Sequence, residues 1–216
     1  GEDRRFFSYF HPALDDEPII FVQVALTNGL GKSIQEIMKP TTGNEKKYDT
    51  ATFYSISNCQ EGLTRVTLGN FLIKRVVYEI QEELPNIKNF GTLSPIPGFR
   101  DWFTTLDEGV IQNILGKIPY STVSFLRSSS LKVGDGRIVS NKKAIIKLVA
   151  HYLMNEKNKK DLPINDVCRF HLGNGAIIED IVINANVSEV GFNRSFGVMV
   201  NYLYELKNIE KNHEDY

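Results

Sequence analysis

Apolar and polar positions change period several times along the chain, and each change predicts an element. Residues 18–26 (Pro-Ile-Ile-Phe-Val-Gln-Val-Ala-Leu) are dense in β-branched and aromatic side chains and precede a Thr27-Asn28-Gly29 turn signal, so they predict a buried strand. Ile34, Ile37 and Met38 share one face of a short helix, and the charged stretch 39–49, with its Pro and Gly, reads as a solvated connection to a second strand over 51–57. Leu72, Val76, Ile80 and Leu84 recur every fourth residue and predict a helix that Pro85 ends, leaving Lys74, Arg75, Glu79, Glu82 and Glu83 to water. Residues 87–93 predict a third strand leading into Ser94-Pro95-Ile96-Pro97-Gly98-Phe99. From 100 to 156 the pattern is mostly helical, with Trp102, Phe103, Leu106, Ile111, Ile114 and Leu115 in one set and Ile145, Leu148, Val149, Tyr152 and Leu153 in another. The Ser- and Gly-rich stretch 120–143 between them has no readable period. Two late strands are predicted over 176–184 and 198–206, and 207–216 reads as a polar tail. Strands interleaved with helices predict a single α/β sandwich built on a mixed central sheet flanked by helices.

Composition narrows the class. The chain has 216 residues, enough to bury one core, and its 42% apolar and 24% charged content excludes disorder and coiled coil. Lys and Arg number 25 against 26 Asp and Glu, so no cationic surplus marks a nucleic-acid partner. Cys59 and Cys168 match no zinc spacing and make no disulfide framework, which points to a reducing compartment. The apolar stretch 19–26 is interrupted at Gln23 and falls far short of the ~20 residues of a spanning helix, so no membrane segment is expected and the chain reads as soluble and intracellular. It opens with Gly1-Glu2-Asp3-Arg4-Arg5 and no initiator Met, as a piece of a longer protein does.

Three places carry candidate chemistry. The stretch Thr64-Arg65-Val66-Thr67-Leu68-Gly69-Asn70 joins a predicted strand to the first turn of a predicted helix. Unpaired backbone N–H groups and the positive end of the helix dipole meet at such a junction and stabilise a phosphate or pyrophosphate, with Arg65 as an added charge. Neither a Walker motif nor G-x-G-x-x-G is present, and a loop whose glycines merely permit the turn fits equally well. Ser94 is confined by Pro95 and Pro97; at the end of a strand it faces a ligand crevice, and the alternative is a helix cap, which spacing alone favours. His171, between Phe170 and Leu172 and before the Gly173-Asn174-Gly175 turn sequence, is placed for proton transfer or is simply a structural histidine. The other histidines form no ligand cluster, so no metal is indicated, and G-x-S-x-G is absent, which disfavours a serine hydrolase. Tyr202 and Tyr204 share one face of the last predicted strand and reach a cleft or pack.

Segments 1–5, 10–14, 53–57, 69–74, 93–99, 170–176 and 199–204, taken together, resemble the carboxy-terminal catalytic region of the malonyl-CoA decarboxylase family. Leu-Ser-Pro-Ile-Pro-Gly-Phe (93–99) and Phe-His-Leu-Gly-Asn-Gly-Ala (170–176) are the most specific of these blocks. The resemblance implies a GNAT-like acyl-CoA-binding fold over residues 1–216, in which Thr64 to Asn70 hold the coenzyme A pyrophosphate. It assigns the catalytic serine to Ser94, the catalytic histidine to His171 and an active-site tyrosine to Tyr204. It also implies a helical amino-terminal domain that this chain lacks, used by the full-length protein to form a homo-oligomer. The stretch from Trp102 to His171 is shorter than in the animal enzymes, and Thr67 stands where some of them carry a glutamate, so no role for that carboxylate transfers. The chain's end carries no peroxisomal Ser-Lys-Leu, and mitochondrial, peroxisomal and cytoplasmic placement stay open.

The activity implied is that of a carboxy-lyase converting malonyl-CoA to acetyl-CoA and carbon dioxide. The thioester carbonyl is itself the electron sink, so no cofactor is expected; coenzyme A is part of the substrate. His171 is expected to protonate the enolate with Ser94 assisting. A GNAT-type acyl-CoA acyltransferase and a non-catalytic acyl-CoA-binding module are the competing readings.

Overall fold

The computed structural model describes residues 3–10, 17–39, 48–58 and 69–216. One mixed sheet organises them. β1 (Arg4–Phe10), β2 (Pro18–Thr27) and β3 (Thr50–Asn58) pair antiparallel in that order, and β4 (Asn89–Thr92) joins β3 in parallel. The chain breaks at Leu93 and resumes as the two-residue β5 (Ser94–Pro95). β7 (Met199–Leu203) runs antiparallel to both β4 and β5, and its other edge takes β6 (Ile177–Val182). This is the mixed sheet that the interleaved pattern predicts.

Each face of the sheet is covered for a reason visible in its side chains. On one face Val22, Val24, Leu26 and Phe53 pack with Val76, Val77 and Ile80 of α2 (Gly69–Glu83), the helix predicted from the four-residue repeat. The side chain of Leu72, counted in that repeat, lies outside the described residues. The same core takes in α3 (Phe99–Thr105), α4 (Glu108–Leu115), α6 (Lys142–Met154) and α7 (Asp166–Gly173). On the opposite face a smaller cluster of Ala25, Ile37, Leu93, Val182, Ala185 and Met199 is closed by α1 (Ile34–Met38). Among the described residues, no helix is long and apolar enough to cross a membrane.

Several expectations need correction. The third strand is shorter than 87–93, because Leu93 turns its side chain to the smaller cluster and interrupts the ladder. The late strands end at Val182 and Leu203 rather than at 184 and 206. Residues 120–143 hold two short 3-10 turns (Tyr120–Thr122 and Ser124–Arg127) and α5 (Gly136–Ser140), each too brief to show a period. Helix α8 (Glu189–Ser195) was not anticipated. The expected polar tail contains α9 (Ile209–Glu214), held down by buried Ile209 and by Asn212 Nδ2 donating to the Gly175 carbonyl at 3.2 Å.

Gly175 is where α7, β6 and α9 meet. Its φ is +78°, and a Cβ there would lie 2.2 Å from the Ile209 carbonyl oxygen. Gly175→Ala is expected to destabilise the fold by more than about 2 kcal/mol, since both the backbone conformation and a main-chain atom oppose the added carbon. Urea unfolding checks this, and an unchanged midpoint would show that α9 gives way freely.

Candidate active site

The site forms where two parallel strands stop pairing. β2 and β3 shift register between Gln23 and Val24, leaving Tyr54 as an extra residue on β3. Such a bulge bends its strand. The β3–β4 ladder ends at the neighbouring pair, Phe53 with Thr92, closed by the Leu93 N–H donating to the Phe53 carbonyl at 3.0 Å. Beyond it β3 continues to Asn58 while β5 turns to β7, with Ser94 opposite Val200. Ser94 therefore stands at the carboxyl end of a central strand, just past the point where the β3–β4 ladder ends. The helix-cap alternative is set aside, because the cap of α3 is Gly98.

Ser94 Oγ lies 3.1 Å from His171 Nε2 and donates to Thr92 Oγ1 at 2.8 Å. His171 Nδ1 lies 2.7 Å from the Tyr204 hydroxyl. The Tyr202 ring stacks on the imidazole at 4.5 Å and 25°. All five side chains are buried. Ser94, His171 and Tyr204, named separately from the sequence, thus form one hydrogen-bonded row, and Tyr202 and Tyr204 share a face as their spacing predicts. Thr92 was missed, although it stands two residues before Ser94 in extended chain and so faces the same way.

The helical setting of His171 differs from the turn expected. It occupies the last turn of α7, and Gly173-Asn174-Gly175 ends that helix and leads into β6, the late strand that this turn sequence is expected to precede. One residue ties this helix to the serine. Asn165 caps α7 by accepting from the Cys168 N–H at 2.8 Å, and its Nδ2 donates to the Pro97 carbonyl at 2.9 Å. The Tyr152 hydroxyl of α6 donates to the same carbonyl at 3.0 Å. The Ser-Pro-Ile-Pro corner and the imidazole's helix are thus gripped through a single oxygen.

Burial lowers the His171 pKa from the ordinary 6.5 to about 3, so the ring is neutral at physiological pH. Burial also holds the phenol of Tyr204 well above its ordinary range, which keeps it a hydroxyl donor. A neutral imidazole bonded at both nitrogens orients and passes protons without carrying charge. No group of three or more His, Cys, Asp or Glu suited to a metal occurs among the described residues. Thr64, Arg65, Val66, Thr67 and Leu68 lie outside the described residues; Gly69 and Asn70 open α2, the helix start expected of them.

The fold is a GNAT-like α/β fold, and it carries a buried serine–histidine pair. A GNAT-like decarboxylase, GphF in complex with isobutyryl-CoA, shares the fold at a TM-score of 0.53 over 92% of this chain and 76% of its own, at 14% identity. Residues 1–216 match the family model of the malonyl-CoA decarboxylase C-terminal domain, and the chain belongs to that family. The mitochondrial malonyl-CoA decarboxylase of Anser anser anser is 37% identical over the whole chain, and the crystal structure of malonyl-CoA decarboxylase from Rhodopseudomonas palustris is 40% identical over 99% of it, with a TM-score of 0.89. The chain spans about half the length of each, 47% and 49% respectively.

The buried imidazole makes a pH signature. Between about pH 3 and 6.5 the unfolded chain binds a proton at residue 171 that the folded chain refuses. Stability from this group is therefore complete above about pH 6.5 and declines as pH falls through that window, by about 1.4 kcal/mol per unit. A His171→Gln variant is expected to lose stability less steeply with acid, by one proton, in urea titrations at stepped pH; equal slopes would show that His171 titrates normally.

Proposed function

We infer that this chain decarboxylates malonyl-CoA to acetyl-CoA and carbon dioxide, with Ser94 and His171 as the catalytic pair. The observation that carries the reading is the buried Ser94–His171 contact at the end of a central strand, in a chain of this family. The bond between the carboxylate carbon and the α-carbon breaks, and its electron pair moves into the thioester carbonyl. The enolate α-carbon then takes a proton from the Ser94–His171 pair, Tyr204 holds the imidazole through its hydrogen bond at Nδ1 without giving up its own proton, and a proton taken from solvent restores the pair before the next turnover. The substrate carries its own electron sink, so the reaction draws on no cofactor. The protein's task is to hold the carboxylate out of the carbonyl plane and to supply the proton. No ladder joins β5 to the part of β3 beyond Phe53, and strand edges left in this way suit pairing with an extended pantetheine arm and its two amides. Thr64 to Asn70, of which Gly69 and Asn70 open α2, are read as the contact for the coenzyme A pyrophosphate.

Purified protein incubated with malonyl-CoA and no acceptor is expected to yield acetyl-CoA and carbon dioxide in equal amounts. An acyltransferase or a binding module would yield neither. His171→Ala is expected to lower kcat by about 10²- to 10⁴-fold with little change in coenzyme A binding; near-normal kcat would remove the assignment. Arg65→Ala is expected to raise KM and leave kcat nearly alone, and an unchanged KM would refute its contact with the phosphates.

A further inference from the structure

The hydroxyl of Ser94 has one proton and two neighbours. Its bond to Thr92 Oγ1, at 2.8 Å, has Ser94 as the donor. A proton committed to Thr92 leaves Ser94 with only lone pairs for the imidazole 3.1 Å away, so Nε2 must carry a hydrogen. A neutral ring with its hydrogen on Nε2 has a bare Nδ1, and the Tyr204 hydroxyl at 2.7 Å donates to it. Every proton in the row then points one way, from Tyr204 to His171, to Ser94, to Thr92. At the end of the row Thr92 Oγ1 accepts a second hydrogen bond, from the Tyr202 backbone N–H at 3.3 Å across the β4–β7 junction. Thr92 is 1% exposed, so bulk water does not compete for that position.

We propose that Thr92 is a positioning residue which, by accepting the Ser94 proton, selects the tautomer of His171 that presents a hydrogen from Nε2 to Ser94. This deepens the decarboxylation reading and rests on it for its kinetic consequence. Protonating a carbanion requires that tautomer, whereas activating the serine as a nucleophile requires the opposite one, with a bare Nε2. Thr92 thus biases the pair toward giving a proton and away from acyl transfer onto Ser94. When substrate enters, the serine proton turns from Thr92 to the substrate, and the hydrogen on Nε2 stands behind it.

The test is nitrogen-15 NMR of the full chain labelled at histidine, with the His171 signals identified by their loss in His171→Gln. The expected wild-type pattern is a pyrrole-type Nε2 and a pyridine-type Nδ1. In Thr92→Val, which keeps the volume and removes the oxygen, the serine proton has only Nε2 to bond, so the pattern reverses. There kcat for malonyl-CoA falls about tenfold, the worth of one hydrogen bond, with KM unchanged. Thr92→Ser restores both the tautomer and kcat. A wild-type hydrogen on Nδ1, or a Thr92→Val protein that keeps Nε2–H, overturns the proposal. So do valine and serine variants that are equally slow, since that marks a packing role. If Thr92→Val fails to fold, the wild-type and Thr92→Ser spectra decide. Tautomers that reverse as expected in a protein that never turns over malonyl-CoA support the selection by Thr92 and count against the decarboxylation reading instead.

Discussion

A histidine taken out of water has to have both ring nitrogens met, or the fold loses about 1–3 kcal/mol for each one left bare. In this chain the imidazole of His171 is met by the hydroxyls of Ser94 and Tyr204, with no charge on either side. That requirement ties together three pieces of chain far apart in sequence: the start of β5, the last turn of α7 and the residue after β7. Much of the surrounding architecture serves to bring them to one point. The break at Leu93 frees the serine from the β3 ladder, and the antiparallel approach of β7 delivers both tyrosines to the imidazole.

The remaining question is what keeps the serine and the imidazole from drifting apart, since one stands on a two-residue strand and the other on an eight-residue helix. The Pro97 carbonyl supplies the answer. It accepts from Asn165, which caps the histidine's helix, and from Tyr152 in the helix behind it. Pro95 and Pro97 limit the freedom of the corner that presents this oxygen. A catalytic pair assembled from such short elements is precise only because the turn and the cap share an atom.

Much of this was legible in the chain itself, and the failures have physical causes. The strand over 18–26 and helix α2 announce themselves because one face is buried and the other wet. β1 does not, since it is an edge strand with Phe6 and Phe10 at 63% and 55% exposure, which erases the alternation. Helix α7 hides for a related reason: only Cys168 and His171 of its residues are buried, too few to show a helical period. The prolines singled out Ser94, though spacing alone favoured a helix cap there. Two-residue spacing put Tyr202 and Tyr204 on one face without deciding between a cleft and packing, and the family resemblance supplied the roles of Ser94 and Tyr204. Thr92 was not readable, because an unremarkable threonine in a strand gains a role only through the backbone N–H of a strand that lies over a hundred residues away.

Tyr202 and Tyr204 alternate with Asn201 and Leu203 along β7, so a slip of one position would turn the tyrosines out of the site and bring an amide and a leucine against the ring. Asn201 guards against this. Buried in the sheet, its Nδ2 donates to the Thr92 carbonyl at 2.8 Å and to the Gly31 carbonyl at 3.0 Å. The asparagine works as a dowel through adjoining planks, fixing how far β7 can slide against the strand that carries Thr92. The alignment of the reacting groups is thereby written into the ladder count of the sheet, on the face turned away from the chemistry.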